Sequence, residues 1–429
     1  MTSGGADVDK SSLPVASSRW RRIAADVTPL RESRDYRRWW FGYSVSFTGT
    51  QLSQFAIPLQ VYVLTKSSFD VGLVGLVVFV PLVTMGLVGG AIADAVDRRR
   101  LTLITGTVLM VLSVLLTVQA ALGLRQLWLL YLIAAVQGAF SAVDSSARGA
   151  ILPRLVRRDM LPAANALGQL GFNTGLSVGP LLGGVLVGTL GFSWAYGFDT
   201  VSFLAVLYAV WRLPAMPPEG GGSRAGVASV LEGLRYLGPR KNLLMTFLVD
   251  INAMVFGMPR ALFPAIAVNW FHGGPGTVGL LAAAPPIGAL VGAAASGWTG
   301  RVRRQGFAVL VSVAVWGGSI ALFGFTRTLW VALVLLAVAG AADMVSAIFR
   351  NTILQVSTPD ALRGRLQGVF IVVVTGGPRL GDLEAGSVAA AAGTQVSVVS
   401  GGLACVVGVA LLAAMFPSFA KYDGQDPEP

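Results

Sequence analysis

Charge is what this sequence has least of. Only 12% of its 429 residues are Asp, Glu, Lys or Arg, while 54% are hydrophobic and the mean hydropathy is +0.69. Soluble domains carry roughly 25% charged residues to keep their surfaces wet, so a soluble globular protein is excluded. A single cysteine, Cys405, excludes an internal disulfide. The single histidine, His272, excludes a structural zinc cluster built on His and Cys. Lysine is almost missing, with four against 28 arginines, and no lysine follows a glycine. The Gly-Lys step of a Walker A phosphate loop is therefore absent, which excludes ATP hydrolysis by that route and leaves an ion gradient as the energy source. No cofactor and no metal is called for.

What is there, in abundance, is long apolar runs. Twelve spans near the length that crosses a bilayer fall at about 38–64, 70–93, 101–123, 127–147, 164–188, 194–213, 243–268, 277–298, 306–325, 328–349, 366–390 and 395–416. The expected fold is an all-α polytopic membrane protein whose two termini share one side of the bilayer. Basic residues decide which side. Twenty-seven of the 32 lie on the side of the termini, against three opposite, Lys66, Arg125 and Arg327, with Arg260 and Arg379 inside spans. Both termini are expected in the cytoplasm, and the net charge of +11 is mostly an orientation signal toward anionic headgroups rather than a nucleic-acid footprint.

The chain divides into a basic N-terminal segment (1–35), a six-helix half (36–213), a cytoplasmic linker (214–241), a second six-helix half (242–418) and a cytoplasmic tail (419–429). Arg19 to Arg38 has the pattern of a basic amphipathic segment on the inner membrane surface, with no signal-peptide core. The linker opens Pro214-Ala-Met-Pro-Pro-Glu-Gly-Gly-Gly-Ser, and Val227 to Leu237 has helical apolar spacing. The halves carry faint copies of each other. Gly179-Pro180-Leu-Leu-Gly183 recurs as Gly377-Pro378-Arg-Leu-Gly381, and Arg148-Gly-Ala-Ile-Leu recurs as Arg350-Asn-Thr-Ile-Leu. Six-plus-six repeats place a substrate cavity at mid-membrane, reached by rocking of the halves.

Span 5 holds Gly175-Leu-Ser-Val-Gly179-Pro180-Leu-Leu-Gly183-Gly184. At helical spacing Gly175, Gly179 and Gly183 form one smooth strip for close helix approach, and Pro180 removes a backbone donor, so the stretch suits a hinge between moving halves. Close packing of ordinary membrane helices is the plainer reading. The same stretch satisfies the G-x-S-x-G of hydrolases, but Ser177 is mid-span and the one histidine lies in a loop, so the strand–turn–helix setting and the base are both missing. At every specified position it resembles motif C, G-x-x-x-G-P-x-x-G-G, of the drug–proton antiporters in the major facilitator superfamily.

Two further stretches carry that resemblance. Gly90-Ala-Ile-Ala-Asp94-Ala-Val-Asp97-Arg98-Arg99-Arg100 is similar to motif A, which in the family latches the cytoplasmic side by meeting helix 11. Ala95 and Asp97 depart from its usual basic residue and glycine. Asp144-Ser-Ser-Ala-Arg148-Gly-Ala-Ile-Leu-Pro153 with Asn165-Ala resembles the enterobactin-exporter and macrolide-efflux branch. Asp144 and Arg148, four apart with the acid first, can pair on one helix face as part of a cytosolic gate. A plain positive-inside loop is the alternative for the arginines. The resemblance implies a proton antiporter in the bacterial inner membrane, exporting a small hydrophobic or amphipathic molecule such as a drug, antibiotic or siderophore, as a monomer in the lipid bilayer. Multidrug resistance and siderophore export are both within its range. An importer of the same fold, and a non-transporting membrane enzyme or sensor, are the other readings.

Charges inside spans are costly and mark function by default. Span 11 carries Arg379, Asp382 and Glu384. Arg379 and Asp382 are close enough to meet, whereas Asp382 and Glu384 point to opposite faces, so one arginine cannot serve both. Arg260 on span 7 has no acid within four residues and is expected to face a span 11 acid, with protonation releasing the pair. A purely structural charge network is the competing reading. Gln51, Gln54, Asp250, Asn252 and Asp343 are candidates for the substrate cavity, and Asp199 is a further buried polar residue, although helix-interface contacts would account for each of them equally.

Overall fold

The computed structural model describes residues 26–217, 235–358 and 360–423. Most of the N-terminal segment and of the linker, including Arg224 and Val227, lies outside the described residues. Twelve long helices follow one another: α1 (Arg34–Thr65), α2 (Ser68–Ala95), α3 (Arg98–Ala121), α4 (Leu127–Leu155), α5 (Leu161–Thr189), α6 (Phe192–Trp211), α7 (Lys241–Asn269), α8 (Pro275–Ala294), α9 (Gln305–Phe323), α10 (Leu329–Val356), α11 (Asp360–Ala392) and α12 (Thr394–Met415). Among the described residues, nine of them are both long and apolar enough to span a bilayer. The other three, α1, α6 and α11, are 32, 20 and 33 residues long, but polar and charged residues dilute them.

Local chemistry sets the helix ends. Ser33 accepts from the Tyr36 amide to open α1, Ser67 from the Asp70 amide to open α2, and Asp97 from the Arg100 amide to open α3. Gly191 (φ 90°) and Gly393 (φ 94°) make the tight turns into α6 and α12, a backbone conformation that side chains resist. These two glycines occupy matching places in the two halves. The expected span 7 is not one straight helix. It runs Lys241–Phe256, breaks at Gly257-Met258-Pro259, and resumes through a 3₁₀ turn at Arg260–Leu262 into Phe263–Asn269. Pro259 and Pro264 have no amide to give to the carbonyls four residues back, so the ladder cannot continue.

The first half packs α1 on α5 and α6, α3 on α6, and α2 on α4, while the second packs α8 and α9 on α10, α9 on α12, and α7 on α11. Small residues let the backbones approach. The Gly175–Gly179–Gly183 strip receives Phe47, Gln51 and Phe55 of α1. Its copy on α11 receives Met254 of α7 at Gly377 and Gly381. The halves meet along two matched seams. A Cβ added at Gly184 of α5 would lie 3.2 Å from Gly279 Cα on α8, and one added at Gly386 of α11 would lie 3.1 Å from Gly72 Cα on α2. Both seams are at the face that holds Lys66, Arg125 and Arg327, so the structure is closed on the side poor in basic residues.

A buried polar seam ties α1, α3 and α6. Ser53 and Ser113 donate to Asp199 at 2.7 and 2.9 Å, and Tyr196 and Gln119 donate to the Gln60 carbonyl oxygen at 2.8 and 3.0 Å. Asp199 is helix-interface chemistry within the first half.

Candidate functional site: a central cavity between the halves

Where the halves separate beyond the two seams, a cavity of about 380 Å³ opens at mid-membrane. That volume suits a drug-sized ligand. The break in α7 forms one wall, with Gly257, Met258, Pro259 and Arg260 all on the lining. Broken helices at membrane depth expose backbone groups to a cavity, where a ligand or water can satisfy them. Phe55, Trp316, Met344 and Leu336 supply much of the apolar surface, and Gln51, Gln54 and Asn173 supply neutral amides.

Four charged side chains line it among the described residues: Arg260, Asp343, Arg379 and Asp382. Arg260 Nη2 reaches Asp382 Oδ2 at 3.3 Å, across from α7 to α11. Arg379 does not turn to Asp382 three residues away. Its Nη2 donates to the Gln54 side-chain oxygen at 3.3 Å, bridging the second half to the first. Glu384 is half-buried and off the cavity wall.

Two cavity candidates sit elsewhere. Asp250 and Asn252 are buried on faces of α7 turned toward α10 and α12, not toward the cavity. Asp250 pairs with Arg350, and Asn252 donates to the Cys405 carbonyl at 2.9 Å. Arg350 itself, counted above among the twenty-seven basic residues on the side of the termini, is 3% exposed inside α10 and also reaches Asp343 at 3.7 Å. Two acids thus share one arginine, and a buried cation of this kind is held in place by its partners. The Arg148/Arg350 repeat was the signal that could have found it. Asn173, two residues before Gly175, and Trp316 were also missed; an amide in an apolar span is a cavity signal, whereas nothing in the sequence sets Trp316 apart from the other tryptophans.

At the basic-rich face, Arg148 meets Asp144 at 2.5 Å, Thr105 donates to the same carboxylate at 2.7 Å, and the Arg148 guanidinium lies 4.9 Å from the Tyr43 ring centre. Gly90 and Asp94 fall in α2, with their side chains outside the described residues. Among the described contacts, the arginines after them reach the end of α6 and the chain that follows it. Arg99 donates to the Val210 and Trp211 carbonyls at the end of α6, at 3.3 and 2.6 Å, and the Arg98 amide donates to Met216. Arg100 is exposed. The reason is local: the last carbonyls of α6 keep spare acceptor capacity at the helix end, and they lie beside the start of α3. Pro180 leaves α5 continuous from Leu161 to Thr189, and of the motif's glycines only Gly184 touches the other half. The Gly175–Gly179–Gly183 strip seats α1.

The profile of a family described as transmembrane secretion effector matches residues 24–428, almost the whole chain. The chain belongs to that family of the major facilitator superfamily. The chain is a multi-pass membrane transporter of a small molecule, not an enzyme. It is 30% identical over 414 residues to the enterobactin exporter EntS of Citrobacter koseri, covering 94% of this chain and 97% of that one. With the enterobactin exporter of Escherichia coli O139:H28 it is 30% identical over 401 residues, covering 91% and 94%. Solved structures share the fold at low identity. A point mutant of the nucleoside transporter NupG matches with a TM-score of 0.72 at 15% identity, over 89% of this chain and 100% of that one. A bacterial homologue of the human lysosomal transporter Spinster, in an inward-facing and unoccupied conformation, matches with a TM-score of 0.68 at 15% identity, over 92% and 96%.

Proposed function

We propose that this transporter exports a small amphipathic molecule from a bacterial cell by proton antiport with alternating access. The observation that carries the reading is the Arg260–Asp382 pair on the cavity wall, beside the break in α7. A carboxylate held by one arginine at membrane depth gives up that partner when it takes a proton, because the attraction vanishes with the charge. Arg260 sits on a short 3₁₀ turn between two helix segments, so release of its side chain frees the segment best able to move. Export is supported by the names of the relatives, which are exporters. The charge asymmetry supports cytoplasmic termini in the inner membrane, and on that orientation the closed seams face outward and the cavity serves the cytoplasm. The lipid bilayer and protons are its other partners, and the self-contained pair of six-helix halves supports a monomer.

The test is substrate-driven proton movement in proteoliposomes that enclose a pH-sensitive dye, with Asp382→Asn and Glu384→Gln made singly and together. Efflux of substrate should drive proton entry in the wild type, and Asp382→Asn should uncouple it while Glu384→Gln has a smaller effect. Unaltered coupling in the double variant would refute the assignment. Net uptake under an inward-acid gradient would make the protein an importer.

A further inference from the structure

The geometry points to an organic anion as the substrate, its acidic group docking on Arg379. This inference rests on the reading of the cavity as a substrate site. Of the four charged groups on the wall, three are engaged. Arg260 and Asp382 hold each other at 3.3 Å, and Asp343 reaches Arg350 behind the wall at 3.7 Å. Arg379 has no carboxylate within 4.0 Å among the described residues, and its polar contact is the neutral amide of Gln54. An acid in this position can shed its charge by taking a proton, but a guanidinium cannot, because it stays protonated at any pH a cell experiences. The Gln54 amide and the field of Asp382, itself held by Arg260, offset part of the cost of holding this cation in the cavity wall, and an incoming anion offsets the rest.

The guanidinium fork matches a carboxylate or phenolate, and that match is directional. Gln51, one turn from Gln54, offers a neutral hydrogen bond beside it, and Phe55, Met258, Trp316 and Met344 form an apolar bed for an aromatic body. A cationic amphipath meets there an arginine that no carboxylate pairs with directly. Asp343 is the place where a basic group would bind, but its excess charge is removed equally well by a proton. One consequence concerns energy. A proton on Asp382 frees Arg260 and makes the wall more positive, which strengthens anion binding, so coupling has to run through the conformational step rather than through competition in the cavity. Expelling a monoanion from a negative interior is itself favoured roughly 50-fold per 100 mV.

The experiment uses matched xanthene dyes, fluorescein as the anion and rhodamine 123 as the cation, with purified full-length protein and fluorescence anisotropy as the readout. Fluorescein should bind more tightly than rhodamine 123. Arg379→Gln should weaken it by about tenfold or more, the usual loss of a charge-assisted hydrogen bond, and Arg379→Lys should restore most of it. Gln54→Glu leaves Arg379 in place but gives it an internal carboxylate, and should weaken fluorescein to a similar degree. Preferential binding of rhodamine 123, or fluorescein affinity unchanged in both Arg379→Gln and Gln54→Glu, would overturn the inference. Proton movement in the liposome assay is read separately. Coupled flux without anion preference refutes the substrate class alone, and anion preference without coupled proton flux refutes the antiport reading alone.

Discussion

A single methyl group at Gly184 should open the closed face of this transporter. An added Cβ there falls 2.8 Å from the Pro275 carbonyl oxygen, 3.1 Å from Gly276 Cα and 3.2 Å from Gly279 Cα. All three atoms are backbone of α8, so no side chain can swing aside, and α5 and α8 must part by about half an ångström or more to reach ordinary contact. Overpacking of this kind costs about 1–3 kcal/mol. Because α5 and α8 belong to different halves, moving the halves apart relieves the strain, so the cost falls on the closed arrangement alone. That shifts the equilibrium toward opening at this face by roughly 5- to 150-fold. Gly179→Ala is the control. Its Cβ falls 2.6 Å from Gln51 Cβ on α1, within one half. The strain there is present in both states, and it lowers stability without moving the halves. Because the chain's one cysteine is buried, a reporter can be placed cleanly. In a Cys405→Ala background, Ala289→Cys on the cavity wall would be labelled by a membrane-impermeant maleimide added at the Lys66 face. Gly184→Ala should raise the labelling rate at least about fivefold, and Gly179→Ala should leave it nearly unchanged. Equal rates in both variants would refute the seam as the gate.

The other predictions concern stability. Asp250→Asn leaves Arg350 buried with only the more distant Asp343, and should cost about 3–5 kcal/mol, read as a fall in melting temperature in detergent. Asp343→Asn should cost clearly less, because that carboxylate is farther away and partly exposed; the reverse order would refute the assigned hierarchy. Tyr36→Phe should cost about 1–2 kcal/mol, since the fully buried Tyr36 hydroxyl donates to the Ala164 carbonyl at 2.9 Å and the carbonyl would be left without that donor. No change in melting temperature would show that water replaces the hydroxyl.

Sequence reasoning reached the twelve helices because bilayer thickness fixes their length and a glycine every fourth residue marks a close approach. It reached the Asp144–Arg148 pair because four residues make one helical turn. Partners brought together by tertiary packing were harder to read. Arg350 and Asp250 are 100 residues apart, and Arg350 looked like one more flanking arginine until α10 enclosed it. Arg379 was read against its near neighbour Asp382, but the direction each side chain takes depends on which helices flank α11, and nothing local encodes that. The break in α7 was written in Gly257-Met-Pro259, where a run of apolar residues on both sides concealed the interruption. The Gly175–Gly179–Gly183 strip showed that some helix must lie on it; that α1 fills the strip, leaving Gly184 and the Pro180 carbonyl to face the other half, followed only from the packing.

Every charged side chain on the described cavity wall comes from the second half, whereas the first half contributes Gln51, Gln54 and Asn173. The two six-helix halves thus bring different things to the described wall, the second ionic chemistry and the first neutral amides and shape. Substrate range can then drift through substitutions on α1 and α5 while the ion pairs on α7, α10 and α11 stay intact. A chimera that joins the first half of an enterobactin exporter to the second half of this chain should inherit its contour from one parent and its electrostatics from the other.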